Sequence, residues 1–422
     1  MIETIEILPG VMLRCCRDTR FKQGRLSFQF VRPMQKRESA FNALLPDVLL
    51  RGTQDHPSLR AINQHLDANY GVGMGALVRR VGDYQTCGFG FSMLEDRFAL
   101  AGESVLEGVL NFLEELLTRP LVENGAFLPA IVDSEKKNLI ADIESELNDK
   151  RSYAAVQMLR SMCAGDSFAL SLRGEKADVE AITARSLYDH YQKVLRTSPV
   201  ELFFVGSAEA EQVAEYLMPL AQAIAAEPMA LPAQTALKLT AEPREFSETM
   251  DVNQGKLSMG FTTPITNQHP DFAAMQVFNA LYGAGMTSKL FMNVREKLSL
   301  CYYAGSGYYG SKGIVTVSSG IDERNYETAK AEILHQLALT AAGEITPAEL
   351  SAAKQGIISG LRSVPDAPGA LENFYGTAFI AGMRYDLPGY IEAVSAVTAA
   401  DVARCAASVR LHTVFFLKGE AK

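Results

Sequence analysis

The chain has no tryptophan, only six cysteines and six histidines, fewer basic than acidic residues, and no long apolar run. The missing tryptophan excludes little, but the other shortages each remove a class of function. Cysteines stand at 15, 16, 87, 163, 301 and 405 and form no Cys-x-x-Cys. Cys15 and Cys16 lie on an alternating segment that reads as a strand, where neighbouring side chains point to opposite faces. That pair is therefore neither a convenient disulfide nor a metal clamp. Free thiols in a reducing, cytoplasmic setting are the expectation. The first twenty residues place Glu3, Glu6, Arg14, Arg17 and Asp18 among short apolar runs, a pattern of neither a signal peptide nor a membrane helix, and no segment reaches about 18 uninterrupted apolar residues. No membrane association is expected. Forty Lys and Arg against 49 Asp and Glu give a net charge of −9 and a pI near 5.4. An acidic average argues against a nucleic-acid surface, and the pairs Arg79-Arg80 and Lys136-Lys137 read as solvated faces.

The histidines build no recognisable metal centre. There is no His-x-x-Glu-His, no His-Glu-x-x-His and no Gly-rich loop ahead of Lys-Ser or Lys-Thr. Asp55, His56 and His65 are the nearest cluster. His65 falls off the main apolar stripe of a predicted helix and His56 precedes Pro57 in a connection, so sequence spacing does not make the two imidazoles converge. Structural or surface roles are preferred for them. His190 and His269 have no better company, and Ser171 and Ser306 lack a nucleophile-elbow context.

What the chain does have is a duplication. Phe21-Lys22-Gln23-Gly24-Arg25-Leu26-Ser27-Phe28-Gln29-Phe30 returns as Val252-Asn253-Gln254-Gly255-Lys256-Leu257-Ser258-Met259-Gly260-Phe261, an offset of 231 positions in 422 residues. Each copy reads as an alternating strand, and each is followed by a helical segment with a shared run, Phe41-Asn42-Ala43-Leu44 and Phe278-Asn279-Ala280-Leu281. With 48% hydrophobic and 21% charged residues the length fills two cores.

The first half alternates over 11–16, 25–31, 83–92 and 200–205, which predicts strands. Helical spacing covers 39–50, 58–69, 106–117, 127–147 and 183–194, with Leu59, Ile62 and Leu66 forming one apolar stripe and Ile131, Leu139, Ile140, Ile143 and Leu147 another. In the second half, strands are predicted at 257–262, 301–309 and 313–319, with helices at 272–281, 288–296 and 325–342. Thr346-Pro347-Ala348-Glu349 is a helix start with an N-cap, a first-turn proline and an N3 carboxylate, and Thr398 with Asp401 suggests another. The Ala-, Pro- and Thr-rich stretch 226–244 holds no apolar period. The expected organisation is α+β: a domain over 1–225, a linker over 226–244 and a related domain over 245–422, each an antiparallel-rich sheet with helices mainly on one face.

Two segments carry a resemblance. Leu49-Leu50-Arg51-Gly52-Thr53, followed by Leu66-Asp67-Ala68-Asn69-Tyr70-Gly71, resembles the stretch just after the zinc motif of the M16 metallopeptidases, the family of pitrilysin, insulinase and the mitochondrial processing peptidase. Leu281-Tyr282-Gly283-Ala284-Gly285-Met286-Thr287-Ser288-Lys289-Leu290-Phe291 and Val294-Arg295-Glu296-Lys297-Leu298-Ser299-Leu300-Cys301-Tyr302 resemble the characteristic block of that family's other domain. The likeness spans nearly the whole chain and implies a half-shell of two related α/β domains. Counting back from Gly52-Thr53 places the family's His-x-x-Glu-His on Ala43-Leu44-Leu45-Pro46-Asp47, so both imidazoles and the general-base Glu are gone. Glu135 and Asp142 keep the family's spacing of seven, and Asp142 would take the third-ligand place. One carboxylate without two neutral nitrogens does not make the tetrahedral site that activates water.

Arg295 and Tyr302 match the Arg and Tyr that bind and polarise substrate near the scissile bond in active members. A guanidinium and a phenol both donate hydrogen bonds to a developing oxyanion. Gly283, Ala284 and Gly285 are read as a substrate-binding turn that lets backbone approach closely. The resemblance thus implies a noncatalytic subunit, with no metal of its own, that pairs with a homologous catalytic subunit carrying zinc and acts on peptides or unfolded protein segments. The rival expectation is a nonenzymatic peptide-binding or scaffold homodimer.

Overall fold

The structure is a computed structural model and describes residues 2–146, 148–238 and 242–419. Leu147, placed on the apolar side of a predicted helix, and residues 239–241 of the expected linker lie outside them. In chain order the first half runs β1 (Ile2–Leu8), β2 (Val11–Arg17), β3 (Gln23–Pro33), α1 (Ser39–Leu49), α2 (Leu59–Ala68), β4 (Gly73–Val81), β5 (Tyr84–Leu94), α3 (Val105–Thr118), a short β6 (Val122–Glu123) and β7 (Ala126–Phe127) hairpin, α4 (Pro129–Ser145), α5 (Lys150–Met162), α6 (Lys176–Glu180), α7 (Ala184–Thr197), β8 (Val200–Gly206) and α8 (Ala210–Ala223). The second half runs β9 (Arg244–Thr249), β10 (Gly255–Thr262), α9 (Phe272–Asn279), β11 (Cys301–Tyr309), β12 (Ile314–Ile321), α10 (Tyr326–Ala341), α11 (Pro347–Ser363), α12 (Pro368–Ile380), α13 (Leu387–Ala396), α14 (Ala399–Ser408) and β13 (Arg410–Lys418). Between α9 and β11 the chain is π-helical over Ala280–Ala284 and Leu290–Lys297.

Two compact units form, and they do not follow a single cut of the sequence. One gathers residues 1–144, 170–233 and 364–380; the other gathers 145–169, 234–363 and 381–422. The physical reason lies in the strands. A strand with one buried face alternates, but β3 is buried on both, with Leu26, Phe28 and Phe30 on one side and Ser27 and Gln29 on the other. Such a sheet needs cover on its second face.

In the first unit the strand order is β1-β2-β8-β3-β5-β4, parallel between β2 and β8 and antiparallel elsewhere. Leu26, Phe28, Phe89, Phe91, Leu202 and Phe204 turn to a core shared with α1, α3, α7 and α8. The opposite face takes α12. There Tyr375 stacks on Phe203 with ring centroids 6.2 Å apart, and the Arg79 guanidinium grips the Glu372 carboxylate through two hydrogen bonds of 2.7 and 2.9 Å. On α2, Ile62 and Leu66 are buried as the stripe predicts, whereas Leu59 in the first turn is 45% exposed.

The second unit orders its sheet β11-β12-β10-β13-β9, with only the β13–β9 pairing parallel. Leu257, Met259 and Phe261 are buried, and the other face of β10 lies under α5. A Cβ on Gly260 would sit 2.4 and 2.5 Å from the sulfurs of Met162 and Met158, so this glycine is what lets α5 down onto the sheet. Ala154, Met158, Met162, Cys163 and Phe168 close over Ile314, Phe415 and Leu417.

The duplicated run Gln-Gly-basic-Leu-Ser is architectural. Its Leu26 and Leu257 fill the cores, and Ser27 and Ser258 are buried on the opposite face of each strand. A side chain at either glycine would force a neighbour to move, because a Cβ would meet Glu95 Oε1 at 2.5 Å in one copy and the Phe416 ring at 2.7 Å in the other. None of the six cysteines is joined in a disulfide. No helix among the described residues is long and apolar enough to cross a membrane.

Candidate functional site

α1 carries the positions where a zinc motif would stand. It is pinned by Asn42, which is wholly buried: its Nδ2 donates to Gln85 Oε1 at 2.9 Å, and its Oδ1 accepts from His190 Nε2 at 2.7 Å. Gln85 in turn donates to the carbonyls of Ser39 and Leu172. The neighbours Ala43 and Pro46 are buried and bring only carbon. Asp47 is half-buried, and its carboxyl is pushed up to about 6, first by burial and then by the charges of Glu135 and Asp142 on α4. Glu135 is tied off by Arg51 and by Asn138 Nδ2 at 2.9 Å. This donor set does not fit zinc: the two nitrogen positions are Ala43 and Asp47, and among the described residues no group of three or more His, Cys, Asp or Glu can hold a metal.

The Arg51-Gly52-Thr53 segment is explained by packing. Arg51 pairs with Glu135, and buried Thr53 donates to Glu115 on α3. The backbone N–H of His56 donates to Thr53 Oγ1 at 2.8 Å, its Nδ1 meets Glu115 Oε1 at 2.8 Å, and Asp55 pairs with Arg119 at 2.7 Å. The structure also brings together the imidazoles that sequence spacing left apart, with the rings of His56 and His65 centred 4.4 Å from each other. His190 is a satisfied core histidine.

Arg295 and Tyr302 flank the turn from the second π-helical segment into β11. Leu298 N–H donates to Asn293 O and Leu300 N–H to Val294 O, while Ser299 sits at φ +50°, so the π-helical run ends on a left-handed residue. The turn leaves Tyr302 77% exposed. The Arg295 side chain keeps 41% of its surface in solvent, lies over the Phe291 ring at 4.6 Å and reaches Glu296 at 3.6 Å. Met286 nearby in the chain is 79% exposed, and Met292 and Leu298 are also exposed.

The glycine turn splits in its behaviour. Gly283 is buried, and a Cβ there would lie 2.6 to 2.7 Å from the Ser306 Oγ, Cβ and N, so its smallness serves contact with β11. Ala284 and Gly285 are exposed. Below them Ser306 Oγ donates to Asn279 Oδ1 at 2.7 Å, and Tyr282 Oη donates to the Ile333 carbonyl at 2.9 Å. Sequence reading missed the brace under Arg295: Lys289, 8% exposed, pairs with Glu349 at 2.9 Å, and Asn293 Nδ2 bonds Gln336 Oε1 at 3.1 Å. The Thr346-to-Glu349 capping box marked that carboxylate as a helix cap, and it also fixes this lysine.

A duplicated α+β protein with Ala43, Pro46 and Asp47 where a zinc motif would stand is an inactive peptidase homologue. Comparisons with known proteins agree. Residues 181–357 match the family model described as the peptidase M16 inactive domain. The chain is 31% identical to the probable inactive metalloprotease YmfF of Bacillus subtilis, over 97% of this chain and 96% of that protein. It also matches the crystal structure of a conserved protein from Enterococcus faecalis, at 26% identity and a TM-score of 0.92, covering 100% of this chain and 99% of that one. The fold matches the peptidase M16 inactive domain from Pseudomonas fluorescens, at 16% identity and a TM-score of 0.78, with 100% and 98% covered. The chain belongs to the M16 peptidase family, as a member without the His-x-x-Glu-His motif.

Proposed function

We propose that this chain is the noncatalytic subunit of a two-component zinc metallopeptidase. It pairs with a homologue that carries the His-x-x-Glu-His motif and offers Arg295 and Tyr302 to that partner's reaction centre. The observation that carries the reading is the presentation of these two side chains. A phenol at 77% exposure and a guanidinium whose contacts are with Phe291 and Glu296 of its own helix stand on a turn braced by Lys289–Glu349 and Asn293–Gln336. A rigid base under exposed donors suits transition-state contacts, because donors already in place need no reorganisation as charge develops on a peptide carbonyl oxygen. Arg295 supplies a permanent charge and Tyr302 a neutral hydroxyl donor. Ala284 and Gly285, exposed and without bulk, give an extended peptide room to pass alongside. The substrate is a peptide or an unfolded protein segment, and zinc belongs to the partner.

Loss of both imidazoles, at Ala43 and Asp47, and of the general-base Glu, at Pro46, favours a second reading, a peptide-binding or scaffold homodimer without chemistry. The two readings separate in one assay. Peptide hydrolysis is followed for this chain, for its motif-bearing relative from the same cell, and for both at matched concentration. Turnover that appears or rises sharply only in the mixture supports the subunit; unchanged turnover with no complex formed supports the homodimer.

A further inference from the structure

The loop that follows α1 closes on a pair of histidines that share one compensating carboxylate. Glu115 is nearly buried on α3 and accepts from Thr53 Oγ1 and from His56 Nδ1. The Glu115 negative charge suits one imidazolium and no more. His65, on α2, lies 4.4 Å from the His56 ring and 5.1 Å from the Phe112 ring, between a potential like charge and an apolar wall. The charged groups that face the pair are few. From the loop they are His56 and Asp55, the latter already paired with Arg119 at 2.7 Å; from α3 they are Glu115 and Arg119; from α2 there is His65 itself. Burial first and then the His56 charge hold His65 toward its neutral form, against the smaller opposing pull of Glu115.

We propose that the His56–His65 pair is a proton-operated latch, closed while at most one of the two rings is charged and opened when both are. Two like charges at that separation and partial burial repel strongly, and the pair is relieved by moving apart. The motion is local, because the bonds of the loop run within it and to the segment at the end of α3. Thr53 N–H donates to the His56 carbonyl at 2.9 Å and His56 N–H to Thr53 Oγ1, while Gln54 N–H donates to the Arg119 carbonyl at 2.9 Å, Leu121 N–H to the Gly52 carbonyl at 3.3 Å, and Thr53 bridges Pro120. Opening therefore frees 53–58 while β3 and β5 stay closed. Since this loop is the direct continuation of α1, the latch couples proton concentration to the segment that stands in place of the zinc motif.

Hydrogen-exchange mass spectrometry on the full chain tests this, at pH 7.5, 6.5 and 5.5 with rates corrected for the intrinsic pH dependence of exchange. One proton taken up on opening accelerates exchange of the peptides spanning 52–66 by up to about tenfold per pH unit once the closed pair resists charging. His65→Phe keeps a ring against Phe112 and cannot charge, so the acceleration should vanish. His56→Gln, which retains an N–H donor toward Glu115, should abolish it as well and serves if the first variant fails to fold. The latch is overturned if the wild-type loop shows no acceleration, if either variant keeps it, or if β3 and β5 lose protection in step with the loop.

Discussion

Lowering the pH from 7.5 to 5.0 leaves His190 neutral in the folded chain. This ring lies on α7, 9% exposed, 5.0 Å from the Phe41 ring and with its Nε2 donating to Asn42. Burial is the main reason its pKa falls from 6.5 to about 4, with Arg32 and Lys193 adding to the depression and Glu38 opposing it. Above pH 6.5 the ring is neutral folded or unfolded, and its full contribution is present. As the pH drops through 6.5 the unfolded chain takes up a proton that the folded chain refuses, so stability falls until about pH 4. The displacement is worth ~3 kcal/mol in total, and ~2 kcal/mol is already lost at pH 5.0. His65 and His412 are depressed as well and move stability the same way, so the assay must isolate one ring. Urea unfolding is read by hydrogen exchange in peptides of α1 and α7, for the wild type and for His190→Gln, whose amide keeps a donor for Asn42. The wild type should lose about 2 kcal/mol more than the variant between pH 7.5 and 5.0. A wild-type-to-variant difference that does not change with pH would refute the buried neutral imidazole.

Three further outcomes follow from the packing. Arg79→Ala takes from Glu372, 1% exposed, the guanidinium that binds it twice, leaving only the weaker Arg25 charge, and should cost about 3 kcal/mol, and replacing both partners with apolar residues should recover much of that; urea midpoints decide. Gly283→Ala drives a methyl into Ser306 and should lower stability by about 1–3 kcal/mol, visible as a lower Tm, which separates a packing glycine from one that only lines a substrate path. Ser299→Gly relieves the left-handed φ of +50° and should gain about 0.5 kcal/mol after the entropy of glycine is set against it.

Sequence periodicity exposed the strands and helices that cover one face of each sheet, because those alternate or repeat cleanly, as Leu26, Phe28 and Phe30 do. The exchange of helices was not legible. α5 has Arg, Lys and Gln among its apolar residues and reads as a surface helix until Met158 and Met162 are seen over Gly260. α12 looks equally unremarkable until Glu372 meets Arg79, 293 positions away. The duplication was visible in Gln23 to Ser27 and Gln254 to Ser258, yet its reason, glycines facing Glu95 and Phe416 and serines buried beneath a second layer, is purely tertiary. The lost metal site could be read directly, since Ala43 and Asp47 stand where the two imidazoles would. The His56–His65 contact could not, because nothing in a nine-residue spacing across a loop and a helix fixes how two rings meet.

The most direct test of the account is turnover by the two-chain assembly with Arg295→Ala in this chain, alongside the wild type, with the partner's zinc content and complex formation measured in the same samples. A loss of turnover at unchanged zinc and unchanged assembly is predicted, with Tyr302→Phe showing a smaller loss in the same direction. Full turnover by an intact Arg295→Ala assembly would contradict the claim that this chain completes its partner's site.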